Sequence, residues 1–228
     1  IGAKVESGAA DPLQIKNTDY VLTLFEANTS LFLMLLPFVG GLIVLLFGVK
    51  KLHFQSVKAL VTSRVEIDWS RFFFAFGVWG GLVVLTFGIQ YVLSPDFFVF
   101  NFRPIPFLGM LVLGLILIPL QTSAEEILFR GYLLQGTAVL FRNKWLPLFI
   151  TSLFFGMMHY DNPEIDKLGE ILLVYYRLTG LFLGAIVIMD DGLELSMGFH
   201  AANNLVTAIL VTADWTAFQT NSIFVDVS

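Results

Sequence analysis

Apolar residues in this chain fall in long unbroken runs separated by short polar clusters, the pattern of segments that cross a hydrocarbon layer. From Ser30 to Val49 the sequence is almost purely apolar and holds Gly40 and Gly41, a residue type commoner in membrane helices than in soluble ones. Further runs cover about 72–94, 106–121, 124–141, 146–160, 171–189 and 193–212. These are about seven segments of roughly 15 to 23 residues, against the ~20 needed to span a bilayer. The expected fold class is all-α, a polytopic transmembrane helical bundle of about seven spans.

The polar punctuation places the connections. Pro95, Arg103 and Pro104 return the chain for the third run, and a break is expected near Thr122 and Ser123. Arg142, Asn143 and Lys144 make a turn between two helices of a hairpin, and Asp190, Asp191 and Gly192 make a second tight turn. Four regions follow: a mixed-polarity interfacial segment at 1–29 with Asp11, Lys16, Asp19 and Glu26, two unspecialised spans within 30–105, a polar-bearing membrane core at 106–212, and a peripheral tail at 213–228. No internal repeat is evident.

Composition agrees with a bilayer as solvent: 57% of residues are hydrophobic, 15% aromatic and 14% charged, with a mean hydropathy of +0.80. The net charge of −5 includes no basic tract able to neutralise a run of phosphates, so no nucleic acid is expected as partner. The absence of cysteine excludes thiol nucleophiles, disulfides and cysteine-held metals together. Lys50, Lys51, Lys58, Arg64 and Arg71 form the densest basic stretch, which assigns 50–71 to the cytoplasmic side. Lys4, Lys16, Arg103, Arg142 and Lys144 would then lie opposite, so the bias is slight. The expected location is a bacterial inner (plasma) membrane rather than an organelle membrane.

Ionisable groups inside spans need a reason, because a charge near the bilayer centre costs at least ~2.5 kcal/mol. Glu125 and Glu126 are adjacent, and Arg130 follows Glu126 by one helical turn, so Glu126 and Arg130 share a face while Glu125 points about 100° away. Both acids could instead simply snorkel or pair at a helix start. His159 closes the fifth run, and His200 and Asn204 share a face of the last, with Ala201 and Ala202 leaving room for a neighbour. A lone histidine of this kind is more often a packing residue, but a cluster is not. His53 receives no role, and Asp190, Asp191 and Glu194 read as a solvated turn. At ~1.5 Å per residue Glu125 is roughly 25 Å and His159 roughly 20 Å from the Arg142–Lys144 turn, so the two can face each other; His200, roughly 13 Å from the Asp190–Gly192 turn, is shallower. With seven alternating spans, Glu125 and His159 sit nearer the 50–71 side and the site opens toward it.

Glu-Glu-x-x-x-Arg at 125–130, Phe-x-x-x-His at 155–159 and His-x-x-x-Asn at 200–204, in this order, resemble the CAAX protease and bacteriocin-processing family of intramembrane peptidases. The resemblance covers about residues 106–212 and implies an endopeptidase in which Glu125 activates water. It also implies that Glu126 and Arg130 support Glu125, that His159 orients or shares the water, and that His200 and Asn204 stabilise the oxyanion, with Asn204 chosen over Asn203 by the spacing. A raised-pKa carboxylate as base and N–H donors worth ~2.7–4 kcal/mol each suit that chemistry.

A metal-free mechanism is favoured, with zinc on Glu125, His159 and His200 as the alternative; no H-E-x-x-H pair occurs. The implied partners are a peptide or lipidated protein substrate, including prenylated CAAX-type tails, together with membrane lipids and a membrane-protein complex. Two other classes stay open: a non-catalytic membrane subunit that binds another membrane protein, and a transporter or proton relay, although paired inverted repeats are lacking.

Overall fold

Among the described residues, 23–228 together with 7, 8, 11, 13 and 20 of a computed structural model, six helices of 13 residues or more form the framework. The interfacial segment expected over 1–29 lies mostly outside the described residues. The helices are α1 (Ala27–Leu52), α3 (Trp69–Leu93), α4 (Pro104–Phe141), α5 (Trp145–Met157), α7 (Ile171–Asp190) and α8 (Glu194–Leu210). Short helices α2 (Val57–Val61) and α6 (Pro163–Leu168) lie in connections. By length and composition α1, α3, α4 and α7 can each cross a membrane, and α5 is a shorter apolar helix. The protein is an integral membrane helical bundle.

The number of helices differs from expectation at one place. Residues 106–121 and 124–141 are not two helices with a break at Thr122 and Ser123 but one helix of 38 residues, with a π-helical stretch at Ile127–Leu134. The polar residues do not interrupt it because they bond within it: Thr122 Oγ1 donates to the carbonyls of Ile118 (3.1 Å) and Pro119 (3.3 Å), and Gln121 donates to Glu125 one turn on. This kind of back-bonding lets a hydroxyl sit inside a span without an orphan donor.

One span fewer reverses the end at which later turns lie. Gln135 Nε2 donates to the Leu60 carbonyl at 3.1 Å, Ser63 N to the Asp191 carbonyl at 3.1 Å, and Thr62 bridges Gly192. The Arg142 and Asp190 turns therefore share the end of the bundle with residues 50–71, the reverse of the expected alternation. Nor is the Asp190 turn wholly solvated, although Asp191 is exposed. Glu194 is 1% exposed and pairs with Arg64 at 3.2 Å, and Asp190 pairs with Arg64 and Arg71.

At the opposite end β1 (Phe98–Phe100), β2 (Val211–Thr212) and β3 (Phe224–Asp226) form a small sheet ordered β1-β3-β2, antiparallel then parallel. The tail is not peripheral. Thr220, Asn221 and Ser222 are buried, because Thr220 Oγ1 donates to the Ala208 carbonyl (2.7 Å) and Asn221 Nδ2 donates to Asn28 (2.9 Å), fastening the tail to α8 and α1.

Small residues let the helices approach, as expected where lipid is as apolar as the interior and packing replaces hydrophobic expulsion. Ala201 and Ala202 on α8 are fully buried, and Gly198 brings α8 against the backbone of Phe72 on α3. Gly180 on α7 lies so close to Ser152 on α5 that a Cβ there would stand 3.1 Å from the Ser152 Cα. Two apolar clusters flank the polar interior, one around Leu60, Val61, Ile127 and Leu193 and one around Leu31, Leu35, Met110 and Ile118. Phe73, Phe74, Val84 and Leu85 face outward to lipid.

Candidate active site

Glu125 and Glu126 end the regular α-helical part of α4, and their 100° separation gives them different surroundings. Glu126 is fully buried and accepts from Arg130 Nη1 at 3.0 Å; His200 Nδ1 lies 2.8 Å from the same oxygen. Arg130 also donates to the Gly180 carbonyl at 3.3 Å, and its guanidinium stands 4.3 Å from the Phe155 ring centroid. A carboxylate accepts only, so the His200 Nδ1 proton points at Glu126 and Nε2 is turned to Glu125, 3.8 Å from its Oε2. Glu125 Oε1 accepts from Gln121, whose own Oε1 accepts from Asn204 Nδ2 at 3.3 Å. Glu125 Oε2 is buried with no hydrogen-bond partner.

His159 stands on the Phe155 side. Its Nδ1 lies 2.7 Å from the Phe155 carbonyl, and the ring stacks on Tyr176 at 4.2 Å between centroids. With Nδ1 donating to that carbonyl, Nε2 is left as the free ring nitrogen.

Glu125, His159, His200 and Asn204 all line one cavity of about 1040 Å³, walled by α1, α4, α7 and α8 and reached by Trp79 of α3. The structure thus brings the motif residues together and seats His200 at the depth of Glu126 rather than shallower. The cavity extends toward Glu164 and Thr216–Phe218 at the sheet end, and among the described residues none from 50–71 lines it, so the expected direction of opening is not found.

Several residues at the site escaped the sequence reading. Gln121 sits one turn before Glu125 on the same face, a spacing that could have revealed it. Asn203, passed over for Asn204, accepts from Trp79 Nε1 at 3.1 Å and donates to Asn204 Oδ1 at 3.1 Å. Trp79 lies far outside the motifs and has no local signal.

As a zinc site the trio Glu125, His159 and His200 fits poorly. Among the described residues no group of three or more histidine and acidic side chains is arranged around a common point.

A bundle of membrane-length helices enclosing a glutamate, histidine and asparagine cluster defines an integral membrane protein with a polar interior. Residues 104–206 match the family of type II CAAX prenyl endopeptidase Rce1-like proteins. The uncharacterized protein YyaK of Bacillus subtilis (strain 168) is 33% identical over 162 residues, 69% of this chain and 53% of YyaK, so the chain spans about half the length of that curated relative. No solved structure matches. Over this membrane core the chain is similar to the CAAX protease and bacteriocin-processing family.

Proposed function

We propose that the chain is an intramembrane endopeptidase in which Glu125 activates a water molecule against a peptide bond of a membrane-associated substrate, prenylated CAAX-type tails included. The observation that carries this is Glu125 Oε2, a buried carboxylate oxygen without a hydrogen-bond partner on the wall of a large cavity, beside an imidazole.

Glu125 takes a proton from water as the water oxygen bonds to the scissile carbonyl carbon, and the carbonyl oxygen becomes an oxyanion. The amide of Asn204 and the ring of His200 offer N–H groups to it, and His159 Nε2 holds the water from the other side. Glu125 then passes its proton to the departing amine as the C–N bond breaks. Glu125, Glu126 and Arg130 alone leave one negative charge in the interior; a proton on His200 balances it and makes Nε2 a donor.

The catalytic core is assigned to 106–212, with Trp79 lent by the preceding segment. Multi-pass insertion in a bacterial inner membrane, with the 50–71 end in the cytoplasm, is favoured by the basic residues gathered there, to which the structure adds Arg142 and Lys144.

The test is cleavage of a membrane-peptide library, prenylated C-terminal peptides among them, by purified wild type and by Glu125→Gln and His159→Ala variants, each with and without a strong chelator. Loss of cleavage in both variants with chelator-insensitive wild type is the expected result. No cleavage of any peptide by folded wild type overturns it in favour of a binding subunit, and loss with chelator overturns the metal-free step.

A further inference from the structure

The cavity holds a second carboxylate that the proposed chemistry does not use. Glu164, on α6, lines it outside all three motifs. Its Oε1 accepts from the backbone N–H of Ala217 at 2.8 Å, which draws the tail across that end of the cavity, and its Oε2 is buried with no hydrogen-bond partner. Lys167, one turn along, does not answer it, since its Nζ donates to the Ser228 carbonyl at 2.9 Å and lies over the Trp215 ring.

A short polar run next to Glu164 in sequence leads to the reacting end of the site. Asn162, two residues before it, donates to the Tyr176 hydroxyl at 3.3 Å, and Tyr176 stacks on His159. The described lining therefore has glutamates at two places, Glu125 and Glu164, and no lysine or arginine at all. An unpaired carboxylate on a cavity wall attracts a cation and disfavours a substrate that places an anion against it.

We propose that Glu164 is a specificity-determining residue that selects substrates carrying a lysine or arginine side chain close to the scissile bond. This rests on the endopeptidase reading above and adds to it the charge of the substrate. The basic head group pairs with the Glu164 carboxylate, which turns Oε2 to it while Oε1 keeps its bond to Ala217.

The experiment uses full-length protein in lipid nanodiscs and a peptide series in which one lysine is walked along the positions on either side of the cleaved bond, each with a leucine counterpart. Two readouts are taken: the ratio of kcat/KM for lysine against leucine, and capture of the same labelled peptides by the Glu125→Gln variant. Wild type is expected to favour lysine at one position by roughly tenfold or more, the worth of one charge pair. Glu164→Gln keeps an acceptor for Ala217 N–H but not the charge, so the ratio should fall to near unity; Glu164→Lys should favour a glutamate peptide.

Equal handling of lysine and leucine peptides by wild type, or a lysine preference that survives Glu164→Gln, overturns the proposal. If wild type cleaves nothing yet captures lysine peptides only while Glu164 is present, the cation site stands and the endopeptidase reading alone fails.

Discussion

His200 on α8 and Glu126 on α4 meet at 2.8 Å across the centre of the bundle, and this contact, with Arg130 on the same carboxylate oxygen, sets which way the imidazole faces. Glu126 is thereby a positioning group, since its bond to His200 Nδ1 is what turns Nε2 to Glu125.

Removing Arg130 leaves that carboxylate buried and short of its cation. Arg130→Leu should lower stability by about 3–5 kcal/mol, whereas Glu126→Gln combined with Arg130→Leu should recover much of the loss. Thermal unfolding in detergent, read by circular dichroism across the double-mutant cycle, measures both.

Packing between α5 and α7 depends on Gly180. A Cβ there meets Ser152 Cα at 3.1 Å and the Ser152 carbonyl oxygen at 3.2 Å, atoms of a backbone that cannot swing aside. Gly180→Ala should cost about 1–3 kcal/mol as overpacking, while Gly81→Ala, with nothing within 4 Å, should be neutral by the same unfolding assay.

The two asparagines of α8 should separate by rate. If Asn204 donates to the oxyanion, Asn204→Ala lowers kcat by about 10²–10³ with KM little changed. Trp79→Phe removes only the bond that steadies Asn203, worth about 0.5–1.5 kcal/mol, and should slow turnover by roughly twofold to tenfold. Steady-state kinetics on any cleaved peptide checks the order.

Asp68 predicts a pH effect outside the membrane interior. It caps α3, and the Ser70 hydroxyl first, then the backbone amides of Ser70 and Arg71 and the Arg71 charge, outweigh desolvation and hold its carboxyl below the usual carboxylate range. A folded-state value below the unfolded one contributes stability that is fully present above the unfolded value and is lost as pH falls through the folded one. The stability difference between wild type and Asp68→Asn should therefore be constant near neutrality and shrink as pH drops below about 4. A melting series in acidic buffers measures it; a difference that grows with acid would contradict the assignment.

The helices were legible because their apolar runs are longer than any soluble pattern requires, and the Glu126–Arg130 pair was legible from a one-turn spacing. What misled was polarity inside a span. Thr122 and Ser123 read as an interruption because a sequence does not show that a hydroxyl will bond the carbonyl one turn back, and that single error exchanged the ends of every later helix. Glu194 read as solvated because its partner, Arg64, is remote in sequence and no local pattern announces it. Trp79 escaped for the same reason. Glu125, His159, His200 and Asn204 were brought to one cavity as their motifs implied.

The π-helical stretch in α4 acts as a phase setting. Each i→i+5 turn takes in one more residue than an α turn, so the part of α4 beyond Leu134 is rotated from where uninterrupted α-helix would leave it. Glu125 thus addresses the cavity while Gln135 addresses the Leu60 carbonyl. α4 resembles a splined shaft: its acid-bearing half and the half gripped by the basic connection can turn against each other only by gaining or losing that surplus residue, and deleting one residue between Ile127 and Leu134 would strip the spline.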